Sequence, residues 1–337
     1  MNLPKVTVII PTYNRAHYLG MAIQSVFEQT FDDLELIVVD DGSTDNTREL
    51  VGRIRDRRFR YLYQEHRGTS AARNAGIRNA RGNYVAWLDS DDLWLPDMLA
   101  VEVPVLDGRP EIGLVYAQGQ GMDKDGKLLA VTRGMPERYP GDSFRSMLWG
   151  DCTYHDTVVL RRSCFDRVGL FDESFRTIED WDMWLRVARH YPFAYIDRVV
   201  AKFRLHDGNI TGSSSPLFAE HLDGRQWVLD KAFAAEELMP SIAAVRPIAY
   251  RNVYTEAGFC WLAAGRLPNA LHSFGRALRT EANPFVTLAR IVWFVLVWKF
   301  FNRFSWGRRF VETTADLRRQ WRLRKGIRNR PLSQRLH

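Results

Sequence analysis

Three carboxylates fall within four positions at Asp89, Asp91 and Asp92. Ionised together they repel one another, and a divalent cation with oxygen ligands, Mn2+ or Mg2+, relieves that repulsion. Such an ion keeps several waters and completes its shell with substrate phosphates, so the cluster points to a diphosphate-bearing substrate. The plainer alternative is a solvated acidic turn capping a helix that begins near Trp94. A second acidic pair, Asp40 and Asp41, opens the run Asp-Asp-Gly-Ser-Thr-Asp. A carboxylate there can accept hydrogen bonds from ribose hydroxyls or a base N–H, and the same run is good helix-capping material. Arg67-Gly68 and Arg73-Asn74 put guanidinium groups in and just after a loop that leads into a helix, which favours phosphate or a nucleotide.

The elements that must position these residues alternate. Lys5–Ile10 is apolar and β-branched and predicts a buried strand. Residues 15–29 have apolar side chains at Leu19, Ala22, Ile23, Val26 and Phe27, which is helical spacing. A strand over Leu34–Asp40, a helix over about 44–56 capped by Ser43 or Thr44, a strand over Phe59–Tyr63, a helix over Ser70–Ala80 and a strand over Tyr84–Leu88 follow. This β-α-β-α-β-α-β order predicts an α/β fold with a mostly parallel sheet flanked by helices. Ligands bind outside the carboxyl ends of such strands. The polar runs Pro11-Thr12-Tyr13-Asn14, Asp40-Asp41-Gly42-Ser43 and Asp89-Ser90-Asp91-Asp92 all fall at those ends, so three strand ends converge on one crevice.

Residues 110–205 predict short strands at Ile112–Ala117, Val158–Leu160, Phe193–Ile196 and Val199–Arg204, and a helix near Asp180–His190. Residues 212–216 read as a linker, and the sequence beyond them as a helical C-terminal region. Tyr254, Gly258, Trp261, Ala270, Phe274 and Ala277 sit at the spacings of a tetratricopeptide helix pair, but a single repeat cannot bury its own face, so the reading is a helical hairpin docked on something else. The division is therefore residues 1–211, a helical region at 212–284, and an apolar, aromatic helix with a basic tail at 285–337.

The chain of 337 residues is 46% hydrophobic and 26% charged, which excludes wholesale disorder. Three cysteines with no CxxC pair exclude a disulfide scaffold and a zinc-site spacing, and fit a reducing cytosol. The short apolar run after the first residues reads as a strand and not as a signal peptide. The net charge of +7 is uneven: residues 303–337 carry eleven Lys and Arg against Glu312 and Asp316, leaving a main body that is slightly acidic. Charge confined to a tail argues about anchoring and not about the active site. Residues 285–301 are short for a membrane span. Trp293, Trp298, Phe301, Phe304 and Trp306 beside Arg303, Arg308 and Arg309 predict an anchor at an anionic membrane surface, peripheral at the inner face of the cell membrane. A nucleic-acid partner is not expected, because basic and aromatic residues are not interleaved on the predicted sheet.

The segments VTVIIPTYNR (6–15), LIVVDDGSTD (36–45), RGTSAARNAGI (67–77), GNYVAWLDSDDLW (82–94), FDESF (171–175), EDWDMWLR (179–186) and FRLH (203–206) come in the order and spacing of one family. Over about residues 4–210 the chain resembles the inverting nucleotide-sugar glycosyltransferases of family 2, with the GT-A fold. The resemblance implies a metal-dependent transfer from a nucleotide-sugar donor, a UDP-sugar by the family's habit, to a hydroxyl of a glycan or lipid-linked acceptor in cell-envelope polysaccharide synthesis. It implies that Pro11 and Tyr13 wall the base pocket, that Asp41 pairs with the base, and that Arg73 is its neighbour. Asp89-Ser90-Asp91 resembles the DxD motif, with Asp89 toward the ribose, Asp91 on the metal and Asp92 as an alternative ligand. Asp180 resembles the catalytic base, with Glu179 the runner-up. Arg204 and His206 resemble the basic motif that meets the diphosphate or, for His206, the metal. Trp181 and Trp184, three apart on one helix, and His155, on what would be an acceptor-side loop, are expected acceptor contacts or core.

Two other enzyme classes use related sheets. A sugar-phosphate nucleotidyltransferase needs a glycine-rich, arginine-bearing loop after the first strand, where this chain has Pro-Thr-Tyr-Asn-Arg. A phosphatase of the Asp-x-Asp-x-Thr type fits less well still, because position 93 is Leu and the cluster ends the fourth strand. A non-enzymatic membrane adaptor with a degenerate catalytic region is opposed by the intact Asp91 and Asp180.

Overall fold

A computed structural model describes residues 3–206, 208–209, 212, 214–234, 240–280, 285, 287–289 and 291–292. The first part alternates as the sequence predicts: β1 (Val6–Thr12), α1 (Ala16–Phe27), β2 (Leu34–Asp40), α2 (Thr47–Gly52), β3 (Phe59–Tyr63), α3 (Thr69–Asn79) and β4 (Tyr84–Trp87). Next come β5 (Leu93–Trp94), α4 (Met98–Gly108), β6 (Leu114–Asp123), β7 (Leu128–Arg133), α5 (Ser143–Trp149), β8 (Val159–Arg161), α6 (Cys164–Val168), α7 (Glu179–Ala188) and β9 (Phe193–Leu205). The C-terminal part holds α8 (Phe218–Phe233), α9 (Pro240–Ala243), α10 (Arg246–Ala263) and α11 (Leu267–Arg279).

Among the described residues the strands form one sheet in the order β3-β2-β1-β4-β8-β6-β9-β5, with β7 paired to β6. The β1, β2, β3 and β4 pairings are parallel, as is β6 with β9, while β8 pairs antiparallel with both β4 and β6. The sheet is therefore mixed, with its parallel part at the N-terminal end. Strands covered on both faces must be apolar throughout. Ile9, Ile37, Val39, Val85 and Trp87 face one core, and Val8, Ile10, Leu36, Val38, Tyr84 and Ala86 face the other, the period-two alternation of a pleated strand. The small residues of α3 let it lie close on β1: a Cβ at Gly76 would sit 2.5 Å from a methyl of Ile9.

The structure corrects several boundaries. No helix begins near Trp94: Leu93–Trp94 pairs antiparallel with β9, and α4 starts at Met98. The two strands expected at 193–196 and 199–204 are one, β9, with its irregularity against β6 taken up at Gln118. The α2 helix is shorter than expected, and neither Ser43 nor Thr44 caps it; Asn46 stands at its N-cap. Ser43 and Thr44 are instead tied to Asn14 of the loop after β1.

The helical pair expected at 254–284 is α10 with α11, and Gly258 makes it close-fitting, since a Cβ there would lie 2.3 Å from the Phe274 ring. It docks on the rest through a shared core. Val228, Leu229, Phe233, Val245 and Val253 pack in the same apolar cluster as Met183, Trp184 and Leu148. Lys231 of α8 reaches both Asp172 (2.8 Å) and Asp182 (2.9 Å). Of the expected membrane-anchoring segment, Trp293 through the basic tail lies outside the described residues. No described helix is long and apolar enough to cross a membrane.

Candidate active site

The loops after β1, β2 and β3 knit together. Asn14, at φ 53°, turns its side-chain oxygen to the backbone N–H groups of Thr44 and Asp45. Asp40 is a structural residue: its two oxygens accept from the Ser43 N–H and the Tyr61 hydroxyl. Asp41 organises the segment that enters α3. One oxygen accepts from the Gln64 amide and the Arg67 N–H, and the other from the Gly68 N–H, with His66 Nδ1 at 2.8 Å. Gly42 allows this approach, because at φ 84° a Cβ would meet the His66 nitrogen at 2.8 Å. Above Asp41 the exposed rings of Tyr13 and His66 are stacked, centroids 4.1 Å apart. Pro11 is buried in β1 beneath them. His66 is not among the residues expected from the sequence, although it directly precedes the Arg67-Gly68 segment.

Arg73 departs from expectation. Its guanidinium does not meet Asp41; it is buried and bridges Asp89 (3.0 Å) and Glu179. The first acidic residue after β4 is thereby tied to the first residue of α7. Burial raises the Glu179 carboxyl against the pull of Arg73, and burial followed by the charge of Asp156 raises Asp89. Asp180, the next residue, is partly exposed, and its charge is felt by both Arg73 and Glu179. Just ahead of this pair Ile178 adopts φ 67°, a conformation costly for a β-branched residue and found where surrounding structure holds a functional turn in place.

Asp91 and Asp92 part company. Asp92 is buried, accepting from the backbone N–H of Arg204, and its carboxyl lies 2.7 Å from the Tyr154 hydroxyl, which is equally close to Asp156. It therefore faces inward and is no alternative ligand in the crevice. Asp91 faces His206, whose Nε2 lies 2.9 Å from it, and Arg15, at 3.8 Å. The Gly208 N–H donates to His206 Nδ1, which sets Nε2 as the protonated nitrogen toward Asp91. Arg204 is largely engaged in the fold. It is 4% exposed, donates through Nε to the Asp91 carbonyl and through Nη1 to the Lys124 carbonyl, and lies over the Tyr18 ring. Its Nε and Nη1 hold the β6–β7 turn against the strand end, while its Nη2 makes no hydrogen bond among the described residues.

The three expected acceptor contacts are core. Trp181 is buried with its N–H donated to the Met147 carbonyl, Trp184 is buried against Trp87, and His155 is buried and stacked on Trp184. The apolar face of α7 must turn inward for Asp180 to turn out, which is why both tryptophans are lost to a ligand. His155 is held neutral, first by burial and then by Arg73. Asp156, buried beneath the crevice and donor-bonded by the Asp89 N–H, is a site-lining acid that the sequence reading missed; its place in the turn before β8 was the available signal.

The donor set fits a divalent cation. Burial raises Asp89, Asp92, Asp156 and Glu179 together, the mark of an acidic centre short of positive charge. Asp91 and Asp89 offer carboxylate oxygens at its open side. Ligand atoms of Asp89, His155 and Asp156 also lie within 4.8 Å of one another, and among the described residues neither ring nitrogen of His155 has a partner.

A crevice at the carboxyl ends of parallel strands, lined by an acidic strand-end cluster and an acidic helix start, defines a GT-A type α/β transferase fold. Comparison with known proteins agrees. The profile of the family described as "Glycosyl transferase family 2" matches residues 7–168. An uncharacterized glycosyltransferase of Rickettsia prowazekii is 31% identical over 242 residues, which is 70% of this chain and 75% of that protein. The chain belongs to glycosyl transferase family 2. Its fold is similar to that of S. aureus TarS 1–349 in complex with UDP-GlcNAc (TM-score 0.63, 18% identity, 82% of this chain and 81% of that one). It is also similar to the mannosyltransferase PcManGT of Pyrobaculum calidifontis in complex with GDP-Man and Mn2+ (TM-score 0.57, 23% identity, 95% of this chain and 88% of that one).

Proposed function

We propose that this glycosyltransferase moves a sugar, a hexose or N-acetylhexosamine, from a nucleoside-diphosphate sugar to a hydroxyl of a glycan or lipid-linked acceptor with inversion, in cell-envelope polysaccharide synthesis. The observation that carries this reading is the Asp89–Arg73–Glu179 bridge, which sets Asp180 beside the acidic crevice. The donor is a UDP-sugar in this reading, supported by the family resemblance and by the UDP-GlcNAc held by TarS.

Each residue has a part. Tyr13 and His66 offer a stacking surface over Asp41, whose oxygen toward His66 accepts a base N–H once that ring gives way. Asp89 takes the ribose side. Asp91 and Asp89 would hold Mn2+ or Mg2+, joined by His206 once its Nε2 gives up the proton it turns to Asp91, and the ion's charge would stabilise a leaving diphosphate. Asp180 takes the proton from the acceptor hydroxyl as its oxygen attacks the anomeric carbon. The bond from that carbon to the diphosphate oxygen breaks, its electron pair leaving on the nucleoside diphosphate. Glu179 is the partner of Arg73 and not the base, because its carboxylate is buried on that guanidinium.

In Asp180→Asn, transfer from UDP-sugars, followed as released UDP with Mn2+ present, is expected to fall about 10²–10⁴-fold, the usual worth of a general base. UDP affinity should be unchanged. Near-wild-type turnover would remove Asp180 from the role.

The tail reading continues as a proposal: residues 285–337 tether the protein to an anionic membrane surface, placing it beside lipid-linked acceptors. Support comes from the concentration of positive charge there and from the exposed Phe285, Leu288 and Val292 at its start.

A further inference from the structure

Arg204 lies deep in the fold, and a more exposed cation stands on the crevice: the last residue of the segment VTVIIPTYNR, to which the resemblance assigned no role. Arg15 closes the loop after β1. Its Nε lies 3.8 Å from the Asp91 carboxylate, on the open side of the acidic cluster, and about a quarter of its side chain faces solvent. One guanidinium nitrogen, Nη2, donates to the Gly208 carbonyl at 2.6 Å. Among the described residues Nη1 makes no hydrogen bond. The contrast with Arg204 is one of exposure: that residue is 4% exposed, with Nε and Nη1 held by the Asp91 and Lys124 carbonyls and its plane over the Tyr18 face, so Nη2 alone makes no hydrogen bond among the described residues. The third cation of the region, Arg73, is buried between Asp89 and Glu179.

We infer that Arg15 is a phosphate-binding cation of the donor site, presenting its free N–H groups to the diphosphate of a nucleoside diphosphate held at Asp91. The inference rests on the nucleotide-sugar reading above. A planar guanidinium with donors to spare and access to solvent suits a phosphate oxygen. The bond to Gly208 gives the charge a fixed bearing and joins the loop after β1 to the segment after β9 that carries His206. Positive charge at this point also explains how Asp91 stays paired before any ligand arrives.

The test is titration calorimetry of uridine, UMP and UDP with Mn2+ into wild type, Arg15→Ala and Arg15→Lys, with Tyr13→Ala as a base-side control and a melting curve for each variant. Arg15→Ala should weaken UDP about tenfold or more, leave uridine unchanged and lower the salt dependence of UDP binding, and Arg15→Lys should recover part of the loss. Unchanged UDP affinity in folded Arg15→Ala, or an equal loss for uridine and UDP, would overturn the inference while Tyr13→Ala still supports the nucleotide site. Absence of UDP, GDP and TDP binding by wild type would overturn both the site and the inference.

Discussion

Two arginines, Arg73 and Arg204, carry their charge inside the protein, and their surroundings decide what they do. From the sequence both look like ligand-facing residues, since each follows a motif that leads into a strand end or helix start. Their partners are decided by tertiary approach: Glu179 is 106 positions from Arg73. No local pattern encodes such a pairing. Acidic residues show the same limit. Asp89, Asp91 and Asp92 are legible as a cluster, but strand-end geometry splits them into one toward Arg73, one toward His206 and one turned into the interior. Glu102 on α4 is a different case, fully buried with neither carboxylate oxygen partnered among the described residues. Burial alone raises its pKa well above the usual value. The folded chain must hold it protonated while the unfolded chain ionises, so stability falls as pH rises above the unfolded value. Glu102→Met is therefore expected to raise the unfolding free energy near pH 8 by about 1–3 kcal/mol, with the gain shrinking toward pH 4.5. Melting curves across that range check it; a pH-independent difference would contradict the assignment.

At the scale of elements, the alternating N-terminal half is legible because apolar runs of period two and stripes of period 3.6 are written locally. What was illegible is pairing that depends on distant strands. Leu93–Trp94 lacks a strand's length and becomes one only because β9 lies alongside. Likewise the capping-type run after β2 spends its side chains on the β1 loop, so α2 starts later than propensity suggests. Loop approach in turn positions the site. Gly42→Ala would put a Cβ at positive φ against the backbone of residue 66. It is expected to cost about 1–3 kcal/mol of stability and to weaken nucleotide binding more than it weakens Mn2+ binding, because the loop around Asp41 shifts while Asp91 does not. Equal affinity for UDP in wild type and variant would show that this loop is not part of the donor site.

Across the whole molecule, charge and core are distributed differently. The core runs without a break from β1 into α8 and α10, so the linker-like residues 212–216 do not mark a break in packing. The helical region instead backs α7, holding the element that carries Asp180. Positive charge is gathered at the C-terminus, beyond the described residues. On the tether reading, the full chain should co-sediment with vesicles containing phosphatidylglycerol and lose that binding in about 0.5 M salt, where screening is strong. A chain lacking 293–337 should stay in the supernatant and keep its transfer to a soluble acceptor. Equal sedimentation of both chains would remove the tail from that role.

The central claim is that Asp91 marks a metal-dependent site for a nucleoside diphosphate. The measurement that meets it most directly is calorimetric titration of UDP into wild type and Asp91→Ala, each with and without Mn2+. Mn2+ is expected to strengthen UDP binding at least tenfold in wild type and to have no effect in Asp91→Ala, whose metal-free affinity stays near that of wild type. Mn2+ enhancement of the same size in both proteins, or UDP binding that ignores Mn2+ in wild type, would contradict it.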